Sequence, residues 1–486
     1  MSAIPKSPAA SAVSDPGDPL ADPRANPHAG RPLDAELRGY LETHADIVTR
    51  ITRPVELGVL PALTAQSEQP IVFENIVGKP GWRLCDILVK HRHLQARALG
   101  VQPADFLKTL AYRIRQPPRG FVKASNAPVK EVKWLGKEVD WTRLPVPIHS
   151  EREDVPYITG MWLVKDPETG FYNTSHAGTI LCGARSGRPS FVTPHTHAII
   201  RKYRAVGKTK MPFVIAIGLP PAYEIMGNYS GLHMDLWGEM EMVGTIMDQD
   251  IPMIAAESVN MDVPALAEIV IEGEVDLCAL EDVGVSVSPS GYFLPRSAKL
   301  PTLEVSALTM RAERPIYRNH LTCPETDHQP LPRLCHEAML YNRLTEMGLA
   351  VKDVRFPTWG AALSCILQFD YPREGFVADA LMLAMGSPWL NTKMVVAVSP
   401  DIDIDNPADV YHSMATRVDP ARDVITVGNT RGSPFDPAAM PLANDPFWRT
   451  TGKWGIDATV KARHNAKDFE RTWPKGRGKA RLADYM

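Results

Sequence analysis

Between Val129 and about residue 320 the chain breaks into short β-rich runs separated by turns, among them Tyr157-Ile158-Thr159, Thr179-Ile180-Leu181, Phe213-Val214-Ile215-Ala216-Ile217 and Glu268-Ile269-Val270-Ile271-Glu272. Runs spaced in this way, with one helical stretch near His197–Tyr203, predict a mostly antiparallel barrel or sandwich. The flanks read differently. On the N-terminal side, apolar side chains at three- and four-residue spacing open a helix at Leu33–Leu41. Pro70–Gly78 is β-rich and closed by glycine, and residues 84–111 form a Leu-rich helical stretch. Pro117, Pro118 and Gly120 end this α/β unit. Beyond Cys323-Pro324-Glu325 and Pro330-Leu331-Pro332, a helix over 334–347, a strand Val351–Phe356, a helix Gly375–Met385 and a strand Lys393–Val398 alternate as in α/β folds. A chain of 486 residues exceeds what one core fills, about 250–300 residues. The expected fold is therefore multidomain, α+β and α/β: an N-terminal α/β domain over 33–125, a central barrel over 126–325 and a C-terminal α/β domain over 326–486. A disordered tail is expected over residues 1–32, where repeated prolines and few large apolar groups do not repay the entropy of ordering.

Charge narrows the partners. With 53 basic against 56 acidic residues, the net −3 gives no field to draw in a polyanion, which argues against nucleic acid and for a small molecule. No run of about 18 apolar residues suits a membrane span, and residues 1–33 lack the apolar core of a signal peptide, so a cytoplasmic protein without a membrane partner is expected. Cys85, Cys182, Cys278, Cys323, Cys335 and Cys365 lie far apart with no Cys-x-x-Cys pair, which fits reduced thiols rather than a disulfide frame or a zinc ribbon.

The common catalytic motifs are missing: there is no Gly-x-Gly-x-x-Gly, no phosphate loop, no His-Glu-x-x-His and no Gly-x-Ser-x-Gly. His195-Thr196-His197, read as extended, puts two imidazoles on one side, which fits a metal site or a polar helix start. Asp401-Ile402-Asp403-Ile404-Asp405 alternates acids with isoleucine, which suits a cation or a solvated strand end leading to a helix cap at Asn406. Arg201, Lys202, Arg204, Lys208 and Lys210 form either a wet helix face or a seat for a phosphorylated ligand.

Several stretches together resemble the UbiD-type decarboxylases. They are Phe73-Glu74-Asn75-Ile76; Tyr157-Ile158-Thr159 running through Asp166-Pro167-Glu168-Thr169-Gly170 to Asn173; Pro212–Pro221; Val263-Pro264-Ala265 leading into Ala267–Gly273; Ser290-Gly291-Tyr292; Lys393-Met394-Val395-Val396 before Asp401; and Gly455-Ile456-Asp457-Ala458-Thr459. The resemblance runs from about residue 33 to 465. It implies that the central barrel is a split β-barrel that binds flavin, that the C-terminal domain dimerises, and that the cofactor is prenylated FMN delivered by a flavin prenyltransferase. It further implies a divalent metal, Mn or Mg, and K, both bridging the flavin phosphate to the protein. Carried over residue by residue, the metal ligands are Asn173, His195 and Glu239, with His197 and Glu241 as alternates, and Lys393 approaches the phosphate. Thr159 is a cofactor contact on the same basis. Amide oxygen, imidazole and carboxylate suit an Mn²⁺-like ion. The implied substrate is an aromatic or α,β-unsaturated acid, and the implied assembly is a homodimer or a higher even oligomer.

The resemblance fails where the reaction takes place. The family arginine five residues after the metal asparagine is replaced by Gly178, and His176, on the same strand face, is the nearest substitute; Arg185 and Arg188 belong to the following loop. The family's acidic loop reads Asp282-Val283-Gly284-Val285-Ser286-Val287-Ser288 here, so that Ser288 stands where the usual proton donor stands. Asp282 or Glu281 is then expected to return the proton, with His176 orienting the substrate and His320 contacting a ring substituent. Either the substrate carries its own electron-withdrawing handle or the reaction differs. Two other readings stay open: a non-catalytic or differently reacting subunit of a hetero-oligomer, and a metal-dependent hydrolase that reuses the barrel.

Overall fold

The computed structural model describes residues 33–191, 193–229, 238–282, 287–293, 299–387, 392–442, 445–476, 478–479 and 481–486. Its centre is a barrel of six strands: β1 Tyr157–Lys165, β2 Tyr172–Leu181, β3 Ser186–Ser190, β4 Lys210–Ile217, β5 Ile269–Asp282 and β6 Lys299–Met310. The order is β5-β4-β1-β2-β3-β6, every neighbour is antiparallel, and pairing of β5 with β6 closes the ring. Closure leaves these strands no open edge. A long strand must bend to close a small barrel, and β5 does so at a register shift between Glu272 and Gly273. Glycine is required there, since a Cβ on Gly273 would stand 2.0 Å from the Glu304 carbonyl oxygen. Trp162, Phe213, Ile215, Ile271 and Val305 fill the interior.

Three helices attach to the barrel: α1 Pro194–Ala205, α2 Pro221–Met226 and α3 Glu239–Met247. The sequence places helix only over 197–203. Pro194, whose fixed φ suits the first helical position, starts it earlier.

The N-terminal unit is a sheet of Thr49–Ile51, Ile71–Phe73 and Arg83–Asp86, completed by Ile316–Arg318, which returns after the barrel to pair in parallel with Arg83–Asp86. The expected Leu-rich helix over 84–111 divides into that strand and two helices, Arg92–Ala98 and Phe106–Arg113. The connection at Leu88 and Val89 cannot be helical, because both backbone N–H groups donate to the Asp327 carboxylate, at 2.6 and 3.0 Å.

In the C-terminal unit, α4 His336–Glu346, α5 Phe376–Gly386 and α6 Pro407–Arg417 accompany β7 Val351–Arg355, β8 Ser364–Phe369, β9 Met394–Val398, β10 Val424–Gly432 and β11 Asp445–Ala458. The sheet order is β7-β8-β9-β11-β10, parallel at β8-β9-β11. The alternating acids at 401–405 form no strand and no cation seat: Ile402 and Ile404 enter a small core, Asp401 pairs with Arg417, and Asp405 pairs with Arg355. Asn406 caps α6 by accepting the Ala408 N–H at 3.0 Å. All six cysteines are free thiols, and no described helix is long and apolar enough to cross a membrane.

Arg318 ties the units together. Fully buried at the end of the returning strand, it donates to both Glu224 oxygens on α2 (2.8 and 2.9 Å), to Asp86 (2.9 Å) and to Asp327. Removing one member of a buried ionic cluster strands the others, at a cost of about 3–5 kcal/mol. Arg318→Leu is therefore expected to shift the urea unfolding midpoint sharply downward. A midpoint equal to wild type would show that the cluster does not hold the fold.

Candidate functional site

A cavity of about 320 Å³ opens between β1, β2, the start of α1, the segment 320–336 and the turn following Arg431. Strand alternation presents Thr174, His176 and Gly178 to it from β2. One corner joins three elements. Asn173 Nδ2 donates to Thr196 Oγ1 at 3.3 Å, and the Thr174 N–H donates to Glu239 Oε2 at 2.9 Å, so β2, the start of α1 and the start of α3 are stitched together beside His195.

Asn173 Oδ1 is buried with no hydrogen-bond partner among the described residues. Burial pushes the Glu239 carboxyl up to about 8, with the Thr174 N–H offsetting only part of the penalty. Acceptor atoms are thus in surplus here, which is the chemistry a cation would answer. Among the described residues no group of three or more His, Cys, Asp or Glu gathers around one point. Of the three residues the sequence names as ligands, His195 and Glu239 border the cavity, while Asn173 is buried outside its lining and is tied to the corner through Thr196.

Two alternates read from the sequence separate. In helical geometry His195 and His197 point about 200° apart, not to one side; His195 borders the cavity, while His197 Nε2 lies 3.1 Å from the Phe191 carbonyl. Glu239 and Glu241 likewise sit on a helix rather than a strand, and Glu241 accepts the Gly238 N–H at 3.0 Å as part of its cap. The missed signals are Pro194 at the first position of α1 and Gly238 immediately before α3, both helix-start features.

Thr159 borders the cavity and its hydroxyl accepts the His320 N–H at 3.1 Å. Lys393 does not border it; its ammonium pairs with Asp436 at 2.9 Å, next to the cavity residue Phe435. Glu281 and Asp282 end β5 away from the cavity lining. Glu281 receives the Arg188 Nε–H at 2.8 Å on the surface, Asp282 is exposed, and Arg185 pairs with Glu304. Val283 to Ser286 lie outside the described residues. Ser288 is buried 2.6 Å from the Ser290 hydroxyl, which donates to the Phe435 carbonyl at 2.7 Å, so it locks a loop to the C-terminal unit. Its neighbours Val287 and Pro289 border the cavity instead.

What the sequence reading did not foresee is a gathering of imidazoles. Besides His195, the cavity is bordered by His176, His320, His328 and His336. The His176 and His320 rings meet edge to face with centroids 5.5 Å apart, and His320 Nε2 stands 3.2 Å from Glu224 Oε1. Burial would raise the Glu224 carboxyl, but Arg318 and His320 outweigh it and hold the group ionised. Burial pushes His176, His328 and His336 each down to about 3, so these rings are neutral. The spacing of His320, His328 and His336 at every eighth residue was the only sequence signal, and it matches no secondary-structure period.

The missing arginine has a steric cause. A Cβ built on Gly178 would lie 1.8 Å from Tyr157 Cζ, because the buried Tyr157 ring from β1 occupies the space over that glycine.

Residues 121–325 match the family model described as the 3-octaprenyl-4-hydroxybenzoate carboxy-lyase Rift-related domain, and residues 331–458 match the C-terminal domain of the same carboxy-lyase. An anhydromevalonate phosphate decarboxylase of Methanosarcina mazei is 30% identical over 414 residues, covering 84% of this chain and 91% of the relative. A pyrrole-2-carboxylic acid decarboxylase of Pseudomonas aeruginosa is 27% identical over 422 residues, covering 81% and 84%. Among solved structures, the UbiD-class enzyme HmfF from Pelotomaculum thermopropionicum in complex with FMN superposes with a TM-score of 0.81 at 27% identity, covering 93% of this chain and 100% of that one. An evolved dimeric form of the same enzyme in complex with prFMN gives 0.79 at 27% identity, with the same coverage.

Two measurements test this geometry. Gly178→Ala overpacks against an aromatic ring and is expected to cost about 1–3 kcal/mol or more. Adding Tyr157→Ala should recover part of that loss; a Gly178→Ala protein as stable as wild type would show the ring is not confined. The second concerns acid. His149, His176, His328 and His336 have folded-state values of about 3 to 4 against 6.5. Between those limits the unfolded chain binds more protons. Stability is therefore full above about pH 6.5 and lost as pH falls, by up to about 1.4 kcal/mol per pH unit for each ring. Urea titrations from pH 7 to pH 4 should show this slope, and His328→Gln should flatten it by about one proton. An unchanged slope in that variant would mean the ring is protonated or solvated in the fold.

Proposed function

We propose, from the premise that the chain belongs to the UbiD family of carboxy-lyases and is a UbiD-like decarboxylase, that it acts reversibly and without oxidation on an aromatic or α,β-unsaturated acid, free or as an activated derivative, held in this cavity. The observation that carries the reading is the corner where His195 and the buried Glu239 carboxyl border the cavity, beside a buried Asn173 amide that donates to Thr196 and leaves its own oxygen unsatisfied. These three would hold a divalent metal, Mn or Mg, and with K would receive the phosphate end of prenylated FMN; Lys393 would reach it only by leaving its pair with Asp436. The flavin-bound relatives support that cofactor. When bound, the prenylated flavin supplies the electron sink for loss of carbon dioxide.

The chain's own residues do the rest. Thr159 pins the backbone of His320. His176, neutral and backed by Asn228, whose amide nitrogen lies 3.3 Å from its Nδ1, orients the substrate. His320 takes the proton-returning role, since it borders the cavity with its Nε2 3.2 Å from Glu224 Oε1 and neither Asp282 nor Glu281 borders the cavity. The largely apolar wall of Leu331, Pro332 and Phe435 excludes water.

The same reading makes the protein a homodimer or a higher even oligomer, as the dimeric relative supports, with a flavin prenyltransferase supplying its cofactor. Six free thiols fit a cytoplasmic setting.

The test is purification from cells co-expressing a flavin prenyltransferase. Flavin released on denaturation is expected, together with solvent-deuterium exchange into the cognate decarboxylated product. His320→Gln should lower that exchange by about 10²-fold while Asp282→Asn leaves it unchanged. The reverse pattern would return the proton to the end of β5. A colourless protein that exchanges nothing would remove decarboxylation altogether.

A further inference from the structure

Along the cavity face of β2 the side chains run Thr174, His176 and Gly178, so that the last stands four residues, about 13 Å, from the first. Thr174 belongs to the corner of Glu239 and His195; Gly178 marks the other end. That end is filled by Tyr157 of β1. Its ring crosses the strand pair diagonally, since it is Thr159, not Tyr157, that stands opposite Gly178. A Cβ on Gly178 would lie 1.8 Å from both Cζ and the hydroxyl oxygen of Tyr157, which puts the phenol oxygen where a side chain at position 178 would begin.

The ring is held from behind. His149 packs against it edge to face, with centroids 6.4 Å apart and planes at 76°. Both nitrogens of His149 are themselves engaged, Nδ1 3.0 Å from Thr322 Oγ1 and Nε2 2.9 Å from Asn319 Oδ1. The chain next to Tyr157 is pinned to β2 as well, because the Leu181 N–H donates to the Pro156 carbonyl at 3.1 Å. A phenol fixed this firmly has little freedom left to lose when something binds to it.

The hydroxyl is not spent on the fold. A buried tyrosine oxygen ordinarily finds a partner in the protein. Tyr203 donates to the Lys165 carbonyl at 3.1 Å, and Tyr172 accepts the Asp262 N–H at 2.7 Å. Tyr157 has no hydrogen-bond partner among the described residues, and it borders the cavity. Burial pushes its phenol above the ordinary tyrosine range, so the group keeps its proton and is a neutral donor.

None of the described barrel residues that border the cavity is a lysine or an arginine. A ligand group at this end of β2 therefore meets neutral hydroxyls: that of Tyr157, and that of Thr159, whose oxygen already accepts the His320 N–H. A carboxylate taken out of water needs such donors. It also sits best at the end of β2 far from a phosphate, because two anions in one low-dielectric cavity repel.

We propose that the Tyr157 hydroxyl donates to the carboxylate of the acid that fills the cavity, and so fixes where that acid binds. That the group is the carboxylate of a substrate rests on the decarboxylase reading above; that the phenol is open to a ligand does not. A neutral donor stabilises a bound carboxylate less than a charged fork does. Less binding is then forfeited as the group departs as uncharged carbon dioxide.

Tyr157→Phe tests the contact, because the ring over Gly178 stays and only the oxygen goes. The full-length protein, with and without added FMN, is titrated by calorimetry with pyrrole-2-carboxylate and with cinnamate. Each acid is compared with its carboxyl-free counterpart, pyrrole or styrene. Tyr157→Phe should bind the acids about tenfold more weakly, or worse, and leave affinity for the counterparts unaltered. Equal weakening of acids and counterparts would make the residue a packing element only. Acid affinity equal to wild type, or no binding of either acid by wild type, overturns the contact. Solvent-deuterium exchange judges the decarboxylase reading separately. A protein whose acid affinity depends on Tyr157 but which exchanges nothing keeps the contact and loses the reaction; one that exchanges while Tyr157→Phe binds both acids like wild type keeps the reaction and loses the contact.

Discussion

Everything around the cavity depends on one buried guanidinium. Arg318 closes the N-terminal sheet, fixes Asp86 within it, grips Glu224 on α2 and holds Asp327, which in turn binds the backbone at Leu88 and Val89. A salt bridge of this kind repays its desolvation only if every partner is in place, so it fixes positions more than it adds stability. Its reach extends into the cavity through Glu224, which carries the charge that stands against His320. Asn319, next in the chain, continues the network by donating to Asp86 at 2.7 Å and meeting His149 Nε2 at 2.9 Å. Fold and site therefore share one electrostatic frame.

That frame lets histidines stand where arginine and acid would otherwise work. Tyr157 fills the space over Gly178, and Gly227 leaves room for the His176 ring, whose Cε1 would lie 2.4 Å from a Cβ at that glycine. The exchange alters what the cavity tolerates. Arginine keeps its charge under all conditions, whereas buried imidazoles are neutral and can donate or accept through either nitrogen. The neutral rings come from both walls, His176 from the barrel, His328 from the segment that leads into α4 and His336 from the start of α4 itself.

The barrel was legible in the sequence because its strands alternate and its turns recur; the runs at 157–159, 179–181, 213–217 and 268–272 all fall on or against barrel strands. The C-terminal alternation around α4, β7, α5 and β9 was legible for the same reason. Ile316–Arg318 was not, since three residues carry no period and their partner is more than two hundred positions away. Local geometry at the site was misread wherever a functional residue begins a helix: Pro194 and Gly238 decide the directions of His195 and Glu239, and neither shows in a hydrophobic pattern. His320 and His328 lie on irregular chain, where only the folded structure brings them to His176.

The returning strand also sets an order of assembly. As the chain leaves the ribosome, residues 49–86 emerge early but lack the strand that completes their sheet and the arginine that neutralises Asp86. Both arrive only after the whole barrel has been made. This unit precedes the barrel in the chain yet closes only after it, and it must wait with an open β edge through the slow, non-local pairing of the barrel. During that interval the nascent chain is most exposed to mispairing, and a chaperone acting on it would have its greatest effect before residue 318 appears.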